Sequence, residues 1–577
     1  MDKFWSKIGE GILANKIKIL LIITIVTIGL GMVASKIQLS YELAKILPKT
    51  DARFQLYENF KKKYGEDGSV IVIGLENKSL FTPKEFTYWK ALHDSIRTKH
   101  GIKNVLSLSN IPEVYIDTLS NTFKTRNLWD ASKAINQSNL DTLKNKLAQL
   151  PIFKNFLFTE DFSTHLMMIT LDQKTINDKG RITLVKQVKA LGKQYSDASG
   201  HTLHYSGMPY IRTELTSQVT NELFIFLGLA ILVTSIILFY FFRSLKVVFF
   251  ALIVIIIGII ASLATIVLFN YRITLLSGLI PPLIVIIGVP NVIFLLNKYH
   301  ETFMATKDKF FSLKESASKV GRTLFLANLT TSIGFGVFAF TGSALLVEFG
   351  IVASLNVMIT FLVSLLLIPI FFSYLAVPEE KDLAHFESKK VTKVLTRIEK
   401  WVFNRRSYIY SFVVILIGIS IYGISKIQAI GYIVDDLPQD NAIYTDLKFI
   451  EEKFKGVMPF EINIDAKKPG QALSPEILSK IKKTEKLIAK YPEFTQGLSI
   501  LTATKYLYQV YRGGDPKFYI LPGIDELGKL KDFQSSLNGK NNLFSGFIDK
   551  ERRFTRVSFQ MKDAGTVRTK ELYEIIQ

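Results

Sequence analysis

Seven apolar runs punctuate the chain, at residues 17–35, 223–242, 247–269, 273–296, 323–341, 349–374 and 409–425. Crossing the hydrocarbon of a bilayer takes about 20 mostly apolar residues in a helix, so each run predicts a membrane-spanning helix. The first run follows several lysines, as a signal peptide would. It is long for such a segment and its cleavage signal, "MVASK", is weak, so it reads as an uncleaved anchor. Outside the runs the pattern changes to short alternating stretches and amphipathic helical stretches. These fill 36–220 and 426–577 and predict two soluble segments.

The two soluble segments repeat each other. "SKIQLSYELAKILPKTD" starts at Ser35 and "SKIQAIGYIVDDLPQDN" at Ser425, and Lys36 stands to Lys426 as Pro48 stands to Pro438. A strand-like run follows each copy at matching positions, "VIVIGL" from Val70 and "FEINID" from Phe460. A helix start follows. Thr82-Pro83-Lys84-Glu85 reads as an N-cap, a first-turn proline and a capping-box glutamate, and Ser474-Pro475 repeats the cap and proline. Further on, "HLMMITLD" (165–172) resembles "FTRVSFQM" (554–561), and each precedes a helical pattern. The first copy completes that helix and adds a short strand near 203–206. The second stops at Gln577 within its helix. Strand–helix–strand order twice per copy predicts an α/β domain of split βαβ, ferredoxin-like type.

The predicted organisation is an anchor span at 1–35, an α/β domain at 36–220 and a five-span bundle at 221–376. A linker at 377–408, a further span at 409–425 and a second, incomplete α/β domain at 426–577 follow. Because the second copy lacks a counterpart of the five-span block, the expectation is a twelve-span protein of which this chain is a part. A seven-span chain with a degenerate second domain is the alternative.

Charge sets the orientation. Lysines and arginines gather at Lys3, Lys7, Lys16 and Lys18, at Arg243 and Lys246, from Lys298 to Arg322, and from Lys389 to Arg406. Alternating the spans puts all of them on one side, which the positive-inside rule makes cytoplasmic. Both soluble segments then face outward. The net charge of +21 fits cytoplasmic loops and an anionic lipid surface. No zinc pattern, RNP motif or compact basic stripe points to nucleic acid. With no cysteines, disulfides and thiolate chemistry are excluded. The seven histidines lack His-x-x-x-His spacing, and neither a Gly-x-Ser-x-Gly elbow nor a phosphate-binding loop occurs. The chain therefore reads as a membrane protein and not an enzyme, with no metal or cofactor. "YRGGDPK" (511–517) reads as a turn.

One stretch breaks the apolar rule of its own span: "GVPNVIFLLNKYHE", from Gly288 to Glu301. Carboxylates inside a bilayer are costly and mark function, yet no span carries one at its middle; Glu222 and Glu348 lie at span edges. Asn291 can hydrogen-bond but does not titrate. Pro290 removes a backbone donor and frees a carbonyl one turn back, and Pro281 and Pro282 are expected to do the same. Such breaks need protein or water to satisfy them, which places this span inside the bundle. Asn291 is then either part of a relay or a helix–helix hydrogen bond at a kink. Lys298, His300 and Glu301 are expected at the solvated helix end. Thr330 and Thr331, near Gly334 and Gly336, are read either as close packing with back-bonded hydroxyls or as coupling residues. Residues 316–322 are expected to form an amphipathic helix on the cytoplasmic face.

One span, a large outer domain, five spans, and the whole begun again resembles the plan of the resistance–nodulation–division (RND) superfamily, and most closely its MMPL-type exporters, whose five-span block is similar to a sterol-sensing domain. "LAKILPKTD", "YSGMPYIRTELTSQVTNEL" (205–223), "FFRSLK" (241–246) and, most specifically, "LTTSIGFGVFAFTGSALLVEFGIVAS" (329–354) carry the resemblance. It implies a proton-driven exporter of lipids or other hydrophobic molecules in a bacterial inner membrane, with its large domains in the periplasm, working as a homo-oligomer or with a periplasmic or outer-membrane partner. In the family an Asp-Tyr pair follows Gly-Val in the fourth span; here Pro290 and Asn291 stand in its place. That departure supports a competing reading, a non-pumping lipid sensor or assembly scaffold. A third, an accessory to protein secretion, fits the large and evenly duplicated outer segments least.

Overall fold

Each of the seven apolar runs overlaps a helix long and apolar enough to cross a membrane. The computed structural model describes residues 2–37, 51–64, 69–117, 122–130, 132–172, 180–274, 276–377, 389–427, 430–432, 438–456, 458–534 and 545–577. The leucine-proline turn at Leu47 and Pro48 lies outside the described residues.

From the N-terminus, α1 (Asp2–Ala14), α2 (Lys16–Ala34) and α3 (Ala52–Tyr64) lead into β1 (Val70–Glu76), α4 (Pro83–Arg97) and β2 (Ile102–Leu106). A hairpin of β3 (Pro112–Asp117) and β4 (Thr122–Asn127) precedes α5 (Gln137–Ala148), β5 (Thr164–Leu171), α6 (Gly180–Ser199) and β6 (Leu203–Ser206). Then come α7 (Met208–Phe242), α8 (Leu245–Leu268), α9 (Ile280–Thr306), α10 (Lys309–Gly336), α11 (Ala344–Tyr374), α12 (Lys389–Asn404) and α13 (Arg406–Ser425). The chain continues with α14 (Ala442–Phe454), β7 (Met458–Asp465), α15 (Pro475–Ile488), β8 (Leu498–Ser499), α16 (Ile500–Tyr511), α17 (Ile524–Gln534), β9 (Phe554–Met561) and α18 (Gly565–Ile576). These form two units, Met1–Asp51 with Thr216–Ile427, and Ala52–Leu215 with Gln428–Gln577.

In the helical unit, α8, α9 and α11 supply the interior, while α2 and α13 bury none of their residues. The amphipathic α1 lies along α10. Trp5 is buried there against Gly321, where a Cβ would come within 3.2 Å of the indole. Glu10 pairs with Lys314 at the same contact.

Three local features depart from the sequence pattern. Pro281 and Pro282 do not break a helix: a 3-10 turn, Ser277–Leu279, precedes α9, and the prolines sit in its first turn. There the missing N–H has no partner to lose. Residues 316–322 are not a separate surface helix. They run without interruption into the span, started by the Asp308 side chain accepting from Phe311 N at 3.0 Å, and Ser316, Ala317 and Gly321 are buried. His300 is 2% exposed and not solvated, its ring edge-on to Phe242 with centroids 5.7 Å apart. Lys298 and Glu301 do form an exposed pair, at 2.8 Å.

In the second unit, strands in the order β2-β5-β1-β6 form an antiparallel sheet. Period-two alternation sends Ile71, Ile73, Met167 and Ile169 to one face, where they join Phe86, Trp89 and Ile96 of α4 and Leu184 and Val188 of α6. A second sheet, β7-β9-β8, is also antiparallel. Val557, Phe559 and Met561 of β9 face Ile477, Ile481 and Ile488 of α15 and Leu501 of α16.

The remaining faces are covered crosswise. Helix α14, from the second copy of the repeat, lays Ile450 and Phe454 on Leu166 of the first sheet, with Val72, Met168 and Phe449 around them. A Cβ on Gly74 would lie 3.1 Å from the Phe449 ring. Helix α3, from the first copy, meets the second sheet. Tyr64 donates to Asn463 at 2.9 Å, the Arg556 guanidinium lies over the Phe60 and Tyr64 rings, and the Lys63 ammonium over Phe554. The β3–β4 hairpin also crosses over: Val114 and Phe123 join the second copy's core, and Val114 N donates to the Tyr506 hydroxyl at 3.1 Å.

The two predicted helix starts differ. Thr82 has the extended backbone of an N-cap but its side chain makes no cap. Glu85 instead accepts from Asn77 Nδ2 at 3.1 Å. Ser474 does cap, accepting from Ile477 N at 3.4 Å. At "YRGGDPK", α16 ends at Tyr511 and the chain turns through Gly513 and Gly514 at φ 84° and 88°, backbone that glycine adopts without strain.

Candidate functional site

Inside the helical unit the buried polar side chains are almost all uncharged. They include Ser262 and Thr265 on α8, Asn291 on α9, Asn328 and Ser332 on α10, and Asn356, Thr360 and Ser364 on α11. Among the described residues of this unit, no Asp, Glu, Lys or Arg is buried.

Asn291 is 2% exposed. Its Oδ1 accepts from Asn328 Nδ2 at 2.8 Å, and the same amide also donates to Leu324 O, one turn back on α10. Asn291 Nδ2 has no hydrogen-bond partner among the described residues. Ser332, one turn on from Asn328, donates to Ser354 O at 2.9 Å. On the other side Thr265 lies 3.4 Å from Asn356 Oδ1. The Thr360 hydroxyl, fully buried, is likewise without a partner among the described residues.

Glycines let these helices approach. A Cβ on Gly258 of α8 would come 2.9 Å from Thr360 Oγ1 and 3.1 Å from Ile284 Cγ2, so α8, α9 and α11 meet at that point. Gly288 on α9 faces Thr360 more loosely, at 3.4 Å. Close packing at small residues and hydrogen bonds across the contact both help membrane helices associate without a hydrophobic driving force.

The structure brings Gly288 and Asn291 together on the buried side of α9, while Pro290 lies on its exposed side. Thr330 and Gly334 are exposed, and Thr331 is half-buried. The hydroxyls of Thr330 and Thr331 return to Leu326 O and Ala327 O, at 2.8 and 3.0 Å. Asn328, Asn356 and Thr360 were missed in the sequence. Each is a polar residue within an apolar run, the same signal that singled out Asn291.

This seam can orient hydrogen bonds but holds no carboxylate to carry a proton. No three His, Cys, Asp or Glu side chains converge to hold a metal ion among the described residues. In the other unit the strongly shifted histidines are core groups. Burial pulls His93, 2.9 Å from Ser107 Oγ, down to about 4. It does the same to His165, whose Nε2 donates to Asn77 O at 3.2 Å. Burial also raises Glu485 above its ordinary range, against the Lys505 ammonium at 3.5 Å.

The sequence model of the MMPL family matches residues 43–401, more than half of the chain. No curated protein matches the chain.

Proposed function

From the chain's membership of the MMPL family, a family of RND-type transporters of hydrophobic substances and not of enzymes, we propose that it is a secondary active exporter of lipids or other hydrophobic molecules. The observation that carries this reading is the family match itself, which takes in the whole bundle from α7 to α11. The proposed setting is a bacterial inner membrane, with 36–220 and 426–577 as ferredoxin-like domains in the periplasm. The lysine and arginine bias supports that orientation, and the strand order β2-β5-β1-β6 supports the domain type. A homo-oligomer or a periplasmic partner completes the proposed path.

Proton coupling belongs to the same proposal. By the family resemblance Pro290 takes the place of the aspartate and Asn291, paired with Asn328, that of the tyrosine beside it, so this bundle acts as the non-titrating side of the couple. It orients hydrogen bonds toward a proton carried elsewhere. The buried, unpartnered Nδ2 of Asn291 supports this, because a buried donor left unmade is costly.

The test is accumulation of a fluorescent lipid analogue in cells with and without the protein, each with and without a protonophore. Export predicts higher accumulation in cells lacking the protein, and in protein-bearing cells after the protonophore. Accumulation indifferent to both would overturn the pump in favour of a lipid sensor or scaffold. Asn291→Ala slows export if the pair couples, and leaves it unchanged if the pair only packs helices.

A further inference from the structure

Helix α12 leads directly into α13, the seventh apolar helix. Asn404 ends α12, Arg406 begins α13, and Arg405 between them leaves the helical range at φ −130°, ψ 40°. Every residue from 393 to 408 is exposed.

The exposed residues from Lys393 to Val402 are sharply sorted. At 100° per residue, Val394, Leu395, Ile398, Trp401 and Val402 fall within about 120° of arc. Ile398 is 54% exposed and Trp401 59%. Lys393, Arg397 and Lys400 share another sector, and from 393 to 404 Glu399 is the sole carboxylate. A soluble helix would not leave such a stripe in water. Its position decides what covers it. One residue separates α12 from an apolar span, so its C-terminal end is tied to the membrane boundary. The junction carries interfacial anchors: the Arg405 guanidinium lies 5.7 Å from the Tyr408 ring centre, and that of Arg406 5.4 Å from the Phe403 ring centre. An apolar stripe with a basic face and a tryptophan is the pattern of a helix lying in the interface of an anionic bilayer.

We propose that α12 is a binding surface for anionic phospholipid. Val394, Leu395, Ile398, Trp401 and Val402 enter the acyl boundary, and Lys393, Arg397 and Lys400 engage the phosphates. This goes beyond the exporter reading and holds whatever the cargo is.

The chain has no cysteine, so a single one can report its surroundings. Ile398→Cys and, on the polar side, Thr396→Cys are labelled with an environment-sensitive fluorophore in the full chain. Each is reconstituted into vesicles of phosphatidylcholine, or of equal parts phosphatidylcholine and phosphatidylglycerol. In the anionic vesicles the probe at 398 shifts to the blue and is quenched by doxyl-labelled lipid but not by iodide, while the probe at 396 is quenched by iodide. Lys393→Glu, Arg397→Glu and Lys400→Glu together, or the removal of phosphatidylglycerol, abolish the doxyl quenching at 398. Iodide quenching at both positions would overturn the proposal. So would protection of 398 from both quenchers, which would mean a protein covers the face. Doxyl quenching indifferent to lipid charge and to the three substitutions would overturn the anionic-lipid assignment.

Discussion

Asn328 hands one amide hydrogen to Asn291 across 2.8 Å, joining α10 to α9 where both are buried. Removing one partner strands the other. Asn328→Ala is expected to cost about 1–2 kcal/mol of bundle stability, read from thermal unfolding of the purified protein in lipid nanodiscs. The double variant Asn291→Leu, Asn328→Leu leaves no orphaned group and should recover most of that loss. A double variant less stable than either single one would show that the two side chains do not act as a pair.

Gly258 and Gly288 give an internal comparison. An added methyl at Gly258 meets Thr360 Oγ1 at 2.9 Å, whereas at Gly288 its nearest neighbour stands at an ordinary 3.4 Å. Gly258→Ala is therefore expected to destabilise by about 1–3 kcal/mol through overpacking. Gly288→Ala is expected to be near neutral, or slightly stabilising through helix propensity. Equal melting temperatures for the two variants would contradict the closer approach at Gly258.

Acid should weaken the sheet unit through its two buried histidines. Burial holds His93 and His165 at about 4, against an ordinary 6.5. Between those values the unfolded chain binds protons that the folded chain does not, so stability falls as pH falls through that window. Each histidine contributes a slope of up to about 1.4 kcal/mol per pH unit. Denaturant unfolding followed by tryptophan fluorescence from neutral pH to 4 measures it. His165→Gln should reduce the slope whatever it does to the midpoint; an unchanged slope would remove His165 from the account.

Asp446 of α14 ties the helix to the edge strand β6, accepting from His204 Nδ1 at 2.8 Å and from Tyr205 N at 3.0 Å. His204 also stacks on Phe449 with ring centres 3.8 Å apart. Asp446→Ala is expected to cost about 1–3 kcal/mol by leaving these donors unpaired. Hydrogen exchange at the Tyr205 amide should speed up, and Asp446→Asn should fall between. Unaltered exchange in Asp446→Ala would mean that water replaces the carboxylate without loss.

The spans were legible because lipid imposes one rule on every residue that meets it. The strands β1 and β7 were legible as a pair because the repeat reads one through the other. Which polar residues in a span are buried was only half legible. Leu324, Asn328 and Ser332 follow one another at four-residue intervals on the buried side of α10, while the more conspicuous Thr330 falls on the other side. Composition drew attention to the double threonine, whereas helical phase decides what it touches. Glu85 shows the same limit at shorter range: its spacing from Thr82 fits a capping box, yet Asn77 and His201 hold its carboxylate. The crosswise covering of the two sheets left no mark at all. An amphipathic helix states that it needs a surface and not which surface.

That crossing imposes an order on synthesis. The face of the first sheet that carries Leu166 and Val72 is finished when the ribosome reaches Ser206, but its cover, α14, begins at Ala442. At about 5–20 residues per second, tens of seconds pass between the two, while the intervening spans enter the membrane. Through that interval the newborn first domain carries an uncovered apolar sheet face, open to chaperones and to the same face on a neighbouring nascent chain.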